Sequence, residues 1–257
     1  MDTSQNTGKK RTTLIVALVA CLVLAVGAGV FAWFSAQDKV VNEFTSGDGI
    51  TDPEYKPVDP SPDKPDPVDP DPNKPTNPDT DGKIFEDKWV DKSAIAADSS
   101  VAKNPNIGIG MTSAPAYVFA EVENAVGNGT YFILNDNWKP VDGAASKYDG
   151  AQGWAAIHSG DQAAQDKAYT GGLFMYVGKG GSDMAVLTPQ PDLGAYTGEL
   201  FSRVYAGDKA SIDKGAPKMT VKAYLAAASN KTENLTDPAV KAEILASAKK
   251  WVTTNDN

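Results

Sequence analysis

The sequence predicts a mainly β fold, a β-sandwich or jelly-roll-like single domain over residues 83–257 that ends in one amphipathic helix. Three observations predict it. Residues 116–126 alternate, with Ala116, Val118, Ala120 and Val122 on one face and Tyr117, Phe119, Glu121 and Glu123 on the other, which is the period of a strand. Further short runs of β-prone residues are separated by clusters of Gly, Pro and Asp, the punctuation of an all-β chain. Only one stretch, near the C-terminus, carries a clear helical period.

In order along the domain, strands are expected at 84–90, 116–126 and 130–134. Gly127-Asn128-Gly129 supplies residues that tolerate positive φ, so the last two strands read as a hairpin. Residues 140–172, rich in Gly, Ala and Gln, read as an irregular surface excursion. Strands follow at 173–177 and 184–188. Gly178-Lys179-Gly180-Gly181-Ser182 between them lacks the spacing of a phosphate loop and reads as a hairpin turn. The last strands are expected at 199–205 and 219–227. In the final one Met219, Val221, Ala223 and Leu225 face inward, while Lys222 and Tyr224 point away. The helix then starts at Asp237, an N-cap, with Pro238 in its first turn. Val240, Ile244, Leu245, Ala248 and Trp251 form one face that docks on the sheets. Lys249 and Lys250 complement the helix dipole.

The N-terminus sets the compartment. Lys9-Lys10-Arg11 precede 21 residues, 14–34, with nothing more polar than glycine or Cys21. A run of that length spans a bilayer, which needs roughly 20 residues as a helix, and the basic cluster stays on the cytoplasmic side. One reading is a transmembrane anchor retained to Phe34. The other is a signal peptide over residues 1–32: Val30 at −3 and Ala32 at −1 satisfy the small-residue rule, and cleavage would leave Trp33 as the new terminus. Val26-Gly27-Ala28 offers a second site. Leu18-Val19-Ala20-Cys21 matches a lipoprotein box, but 13 apolar or glycine residues follow Cys21, where a lipidated terminus is polar. No acid lies between Asp2 and Asp38, which argues against a type IV pilin helix.

Residues 33–50 form a short N-terminal strand segment, and residues 51–82 form a linker. Ten of the 17 prolines lie in that linker, with nine acids against three lysines. Pro fixes φ and removes donors, so an extended polyproline conformation is expected. The linker carries −6 of the chain's −9 formal charge. The remainder shows no basic patch, so nucleic acid is not an expected partner. A chain cut after Ala32 has no cysteine and hence no disulfide, which suits a Gram-positive surface.

A search for chemistry finds no catalytic, cofactor or metal site. His158 is the only histidine, which excludes the two-histidine zinc motif; it reads as a strand-end polar residue. Glu121 and Glu123 share one strand face and read as solvated, not as the opposed pair of a glycosidase. Asn77, Asp79, Asp81 and Gly82 copy the front of an EF-hand loop, but the twelfth position is Lys88 where the ion needs a bidentate glutamate. Trp89, Trp138, Trp154 and Trp251 read as core.

The segment 30–49, VFAWFSAQDKVVNEFTSGDG, resembles the start of the TasA/camelysin family, whose members carry a signal peptide for a SipW-type signal peptidase. The match consists of a small residue (Ala32), an aromatic pair (Trp33-Phe34), a polar turn, and a strand ending in Phe44-x-x-Gly47. Residues 102–126, the run GELFSRVYAGDKASI and the run MTVKAYLAAAS resemble core strands of that family. The long Pro/Asp insert departs from it, and no metalloprotease motif is present to match the camelysin branch. The resemblance implies a secreted cell-surface or extracellular matrix protein of biofilm type; its camelysin branch would imply a protease, but the lack of a metal-ligand cluster favours the non-enzymatic reading. Signal peptidase is its partner during export, and other copies or other matrix proteins are its partners afterwards. The expected mechanism is donation of the freed N-terminal strand, anchored by Phe34, Val40, Val41 and Phe44, to a neighbour's sheet edge. The linker equally allows the strand to return to its own domain. The alternative is a single-pass membrane-anchored binding or adhesion module with the linker as a stalk, on the order of 100 Å long at the polyproline rise.

Overall fold

The computed structural model describes residues 35–46, 82–90, 92–110, 113–189, 194–228 and 237–255. The expectations for residues 1–34, including Cys21, the Ala32–Trp33 cut and Phe34, lie outside the described residues, as does the Pro/Asp linker up to residue 81. In chain order the strands are β1 (Ser35–Glu43), β2 (Thr45–Ser46), β3 (Gly82–Phe85), β4 (Ala94–Ile95), β5 (Ser100–Ala102), β6 (Asn106–Ile109), β7 (Ala116–Ala125), β8 (Gly127–Ile133), β9 (Trp138–Lys147), β10 (Ala168–Tyr176), β11 (Val186–Leu187), β12 (Ala195–Glu199), β13 (Arg203–Ile212) and β14 (Lys218–Ala227). A 3-10 turn (Ala156–His158) and a short helix α1 (Gln162–Gln165) follow β9, and helix α2 (Pro238–Asn255) follows β14.

The fold is mainly β, as expected. Nine strands form one sheet along the path β1-β14-β7-β10-β8-β13-β5, with β11 on β7 and β9 on β10. A second sheet runs β12-β6-β3, and β2 pairs β4. The backbone of β14 matches β7 antiparallel along its full length, from Lys218 opposite Ala125 to Ala227 opposite Ala116. The second sheet supplies Ile84, Ile107 and Ile109 to the same apolar core as Val118, Ala120, Phe132, Phe174, Val204, Met219 and Val221. Gly108 makes the second sheet close-packed: a Cβ there would sit 2.4 Å from the Tyr196 ring and 2.9 Å from that of Phe85, two rings that meet edge to face.

The inward faces of β7 and β14 match the alternation in the sequence, but their outward faces do not meet water. Residues 116–122 are all buried, because α2 covers this side of the sheet. Ile244, Ala248 and Trp251 of α2 are buried, Trp251 stacks on Tyr224 at 5.5 Å, and Lys241 lies over the Tyr117 ring at 5.8 Å. Burying Ile244 alone contributes about 2 kcal/mol. The helix starts as expected: the Ala239 amide donates to Asp237 Oδ1 at 2.7 Å.

Four expectations are corrected. β7 and β8 do not form a hairpin, since β10 lies between them. Gly127 instead lets β8 approach β13, where a Cβ would lie 2.4 Å from the Ser211 carbonyl oxygen. Residues 178–185 are not a hairpin turn either. β10 and β11 both pair β7 and continue one line, Met175 opposite Phe119 and then Val186 opposite Tyr117, so the glycine-rich segment is an insertion within a single strand position. Residues 140–147 are not irregular but belong to β9, whose backbone pairs β10 despite its small side chains. The strand expected at 199–205 breaks at Leu200–Ser202. β12 belongs to the second sheet and β13 to the first, and the crossing is fixed by the Leu200 amide on the Pro105 carbonyl at 2.8 Å.

Candidate functional site

The site of interest is the seat of β1. The strand lies at one end of the nine-stranded sheet against β14. At its end the Phe44 amide donates to the Pro217 carbonyl at 2.8 Å. Alternation places Val40, Asn42 and Phe44 toward the body: Asn42 and Phe44 are buried and Val40 packs on the core. Val41 is 46% exposed and faces the other way. Of the four residues expected to anchor this segment, Val40 and Phe44 are therefore seated together, Val41 is not, and Phe34 lies outside the described residues. Phe44 meets Trp89 edge to face at 4.7 Å.

Beneath β1 three polar side chains converge. The Lys103 side chain is fully buried, and that of Glu86 is 5% exposed. Lys103 Nζ donates to Glu86 Oε1 and to Asn42 Oδ1. Asn42 Nδ2 donates to Glu86 Oε2 at 2.7 Å. Each group thus touches the other two. The Trp89 ring caps the cluster, 5.5 Å from Nζ. Burial pushes the Lys103 ammonium below the usual lysine range, and the adjacent Glu86 carboxylate opposes that shift.

Backbone and side-chain hydrogen bonds surround this cluster. β3 ends at Phe85, earlier than the expected 90, and the chain turns so that Glu86 enters the interior. The Lys103 amide donates to the Ser202 carbonyl at 3.2 Å. Asn104 accepts from the Lys88 amide at 2.9 Å and donates to Asp87 and Glu199. Lys88, the twelfth position of the EF-hand-like stretch, pairs with Glu199. It thus brings a cation where a calcium loop needs a carboxylate.

The other residues singled out by the sequence fall elsewhere. Glu121 is buried, not solvated, and Lys222 on β14 pairs with both it and Glu123. His158 is not at a strand end. It sits in the 3-10 turn, buried against Tyr131 and Tyr205. The Ala155 amide donates to the Tyr131 hydroxyl at 3.0 Å, and the same hydroxyl meets His158 Nδ1 at 3.1 Å. Burial lowers the His158 pKa and raises that of Tyr131 to about 12. Trp138 and Trp251 are buried as expected. Trp89 and Trp154 are half-buried and pack on apolar clusters. Among the described residues no group of three or more His, Cys, Asp or Glu could hold a metal ion, and no helix is long and apolar enough to cross a membrane.

Sequence reasoning reached Val40 and Phe44 but missed Asn42, Glu86 and Lys103. One signal was present: Asn42 stands between Val40 and Phe44 on the same side of the strand. Its partners are 44 and 61 residues away, beyond the reach of any local pattern. Comparison of the chain with protein-family models, with curated proteins and with solved structures finds no match.

Proposed function

We propose that this chain is a non-enzymatic protein exported to the bacterial surface or extracellular matrix, a β-sandwich of jelly-roll type that assembles by exchange of β1 between copies. The observation that carries the reading is the position of β1. It is a terminal strand of the large sheet, and beyond the two-residue β2 the chain reaches β3 through residues 47–81, the segment whose prolines favour extension. A strand of this kind serves its own sheet or a neighbour's with the same main-chain bonds and the same side-chain pockets. The apolar run at residues 14–34 and its cut after Ala32 would deliver the protein and free the segment.

A second reading, a membrane-anchored module, is favoured by the seating of β1 within its own chain. A retained anchor ending at Phe34 would then join the body directly through β1. Residues 51–82 would not act as a stalk in that arrangement, because the strands that flank them, β2 and β3, belong to one compact unit.

Intact mass, N-terminal sequencing and size analysis of protein taken from the cell surface test the two. The assembly reading expects a terminus at Trp33 in high-molecular-weight material, and deletion of residues 33–49 should abolish polymers. Polymers that persist without the segment would overturn strand exchange. An intact N-terminal run in membrane-bound monomer would establish the anchored module in its place.

A further inference from the structure

We propose that Lys103 and Asn42 join in an amide cross-link, formed by the folded protein itself with Glu86 as the proton carrier and with release of ammonia. The proposal rests on contact geometry. A nucleophile, an electrophilic carboxamide and a carboxyl group touch pairwise in a water-poor chamber: Lys103 Nζ on Asn42 Oδ1, Lys103 Nζ on Glu86 Oε1, and Asn42 Nδ2 on Glu86 Oε2 at 2.7 Å. Bringing reacting groups into fixed contact turns a slow bimolecular step into an effectively unimolecular one. Amide exchange needs it, since a primary amide is a poor electrophile.

The balance is complete within the three side chains. An ammonium cannot attack, so one Nζ proton passes to Glu86, turning a buried ion pair into a neutral amine and a neutral acid. Burial disfavours the Lys103 ammonium and lowers its pKa. The Nζ lone pair then forms a bond to Asn42 Cγ, and the Oδ1 oxygen takes up the displaced electron pair. Through its two oxygens Glu86 accepts the second Nζ proton and supplies one to Nδ2. The Cγ–Nδ2 bond breaks, the carbonyl re-forms, and Nδ2 leaves as ammonia. The products are a secondary amide between the two side chains and a protonated Glu86. No oxidant, metal or nucleotide is consumed. Because Glu86 touches both the attacking and the leaving nitrogen, it is a catalytic residue of this reaction. Trp89 and Phe44 cover the chamber and keep competing water from the amide.

The consequence is mechanical. The bond ties β1 to the body at a point 61 residues further along the chain. A pull on the N-terminus would then load a covalent bond and not only the β1–β14 hydrogen bonds. The inference does not depend on strand exchange: the chamber closes around whichever copy's β1 occupies the seat.

Mass spectrometry of the full wild-type chain is the test. The expected intact mass is lower than the sum of its residues by the mass of one ammonia. Trypsin should then fail to cut after Lys103 and release residues 40–83 joined to residues 93–147. The prolines after Lys56, Lys64, Lys74 and Lys139 protect the remaining internal sites. Glu86→Gln preserves the side-chain shape and should restore the full mass and the separate peptides, as should Asn42→Ala. A folded wild-type chain with full mass and a cut after Lys103 would overturn the bond. A Glu86→Gln chain that still loses ammonia would overturn the role of Glu86. On a denaturing gel the undigested protein migrates as a single chain if the bond is intramolecular and as a ladder if β1 is exchanged. The mass loss supports the bond with either pattern, while only the ladder also supports assembly by β1.

Discussion

Lys103 and Lys222 are both buried beside glutamates, yet burial acts on them with opposite outcomes. Desolvation pulls both toward neutrality. At Lys222 it is outweighed by hydrogen bonds and attraction from Glu123 and Glu121, and the pKa ends above the usual lysine value. At Lys103 one carboxylate is not enough, and the pKa ends below it. The difference lies in the third partner. Lys222 is clamped between two carboxylates on the adjacent strand β7, with Glu123 41% exposed at its edge. Lys103 has one carboxylate and one neutral carboxamide, and no exposed side. Two anions hold a lysine as a cation for structure, whereas one anion and an amide leave it poised to lose a proton.

The sharpest way to break this comparison is Asn42→Ala. In the seat of β1 it removes the electrophile and the hydrogen bonds to both Lys103 and Glu86. Opening a loop of 61 residues costs about 4 kcal/mol in the chain-entropy picture of cross-links. The buried donor and acceptor left behind add about 1 kcal/mol more. A loss of about 5 kcal/mol in urea unfolding is expected, with the N-terminal strand becoming sensitive to protease. A loss near 1 kcal/mol would show that only hydrogen bonds were removed and that no cross-link existed.

Lys222→Met should act differently. It removes the Lys222 partner from the buried Glu121, and breaking a buried pair in this way costs about 3–5 kcal/mol. The lower end, about 3 kcal/mol, is expected because Glu123 can turn to water. No mass change or cross-linked peptide should depend on it. The pH dependence follows from the sign of the shift. A lysine whose folded pKa lies above 10.5 contributes stability that is fully present below that value and lost as pH rises through the folded pKa. Alkaline unfolding of the wild type should therefore be steeper than that of the variant. Equal alkaline slopes would show that the two carboxylates do not hold Lys222 charged.

What the sequence could show divides along the same line. The alternation of Met219, Val221, Ala223 and Leu225 was legible because one face of a strand reports its own burial. The burial of Glu121 and Lys222 was not, because it is imposed by α2, whose docking site a strand pattern does not reveal. The strand β9 escaped notice because Asp142-Gly143-Ala144-Ala145-Ser146 lacks β-branched residues and is held by the backbone of β10. The apparent hairpin at 127–129 failed because its glycines serve close approach to β13, not a tight turn. In the seat of β1, Val40 and Phe44 carried a local signal. Glu86 and Lys103 carried none, since a charged residue in a loop looks the same in sequence whether it is solvated or buried.

His158 gives the comparison a third term, a buried base with no carboxylate in hydrogen-bond contact. Burial lowers its pKa below 6.5, with a partial opposing effect from Asp161. The unfolded chain therefore binds the proton at a higher pH than the folded one. As pH falls from neutrality through the unfolded value toward the folded one, the unfolded state takes up more protons and stability is lost. Above the unfolded value there is no such penalty. His158→Gln keeps a partner for the Tyr131 hydroxyl and cannot titrate in this range. Because it is the only histidine, the difference between the two proteins isolates one group while the carboxylates cancel. Urea midpoints measured between neutrality and pH 5 should converge or cross as the wild type loses its advantage, at no more than about 1.4 kcal/mol per pH unit. A constant difference would mean that Tyr131 and Tyr205 admit the charged imidazolium as readily as water does. Burial would then not be what lowers the His158 pKa, and the contrast with Lys222 would rest on Lys103 alone.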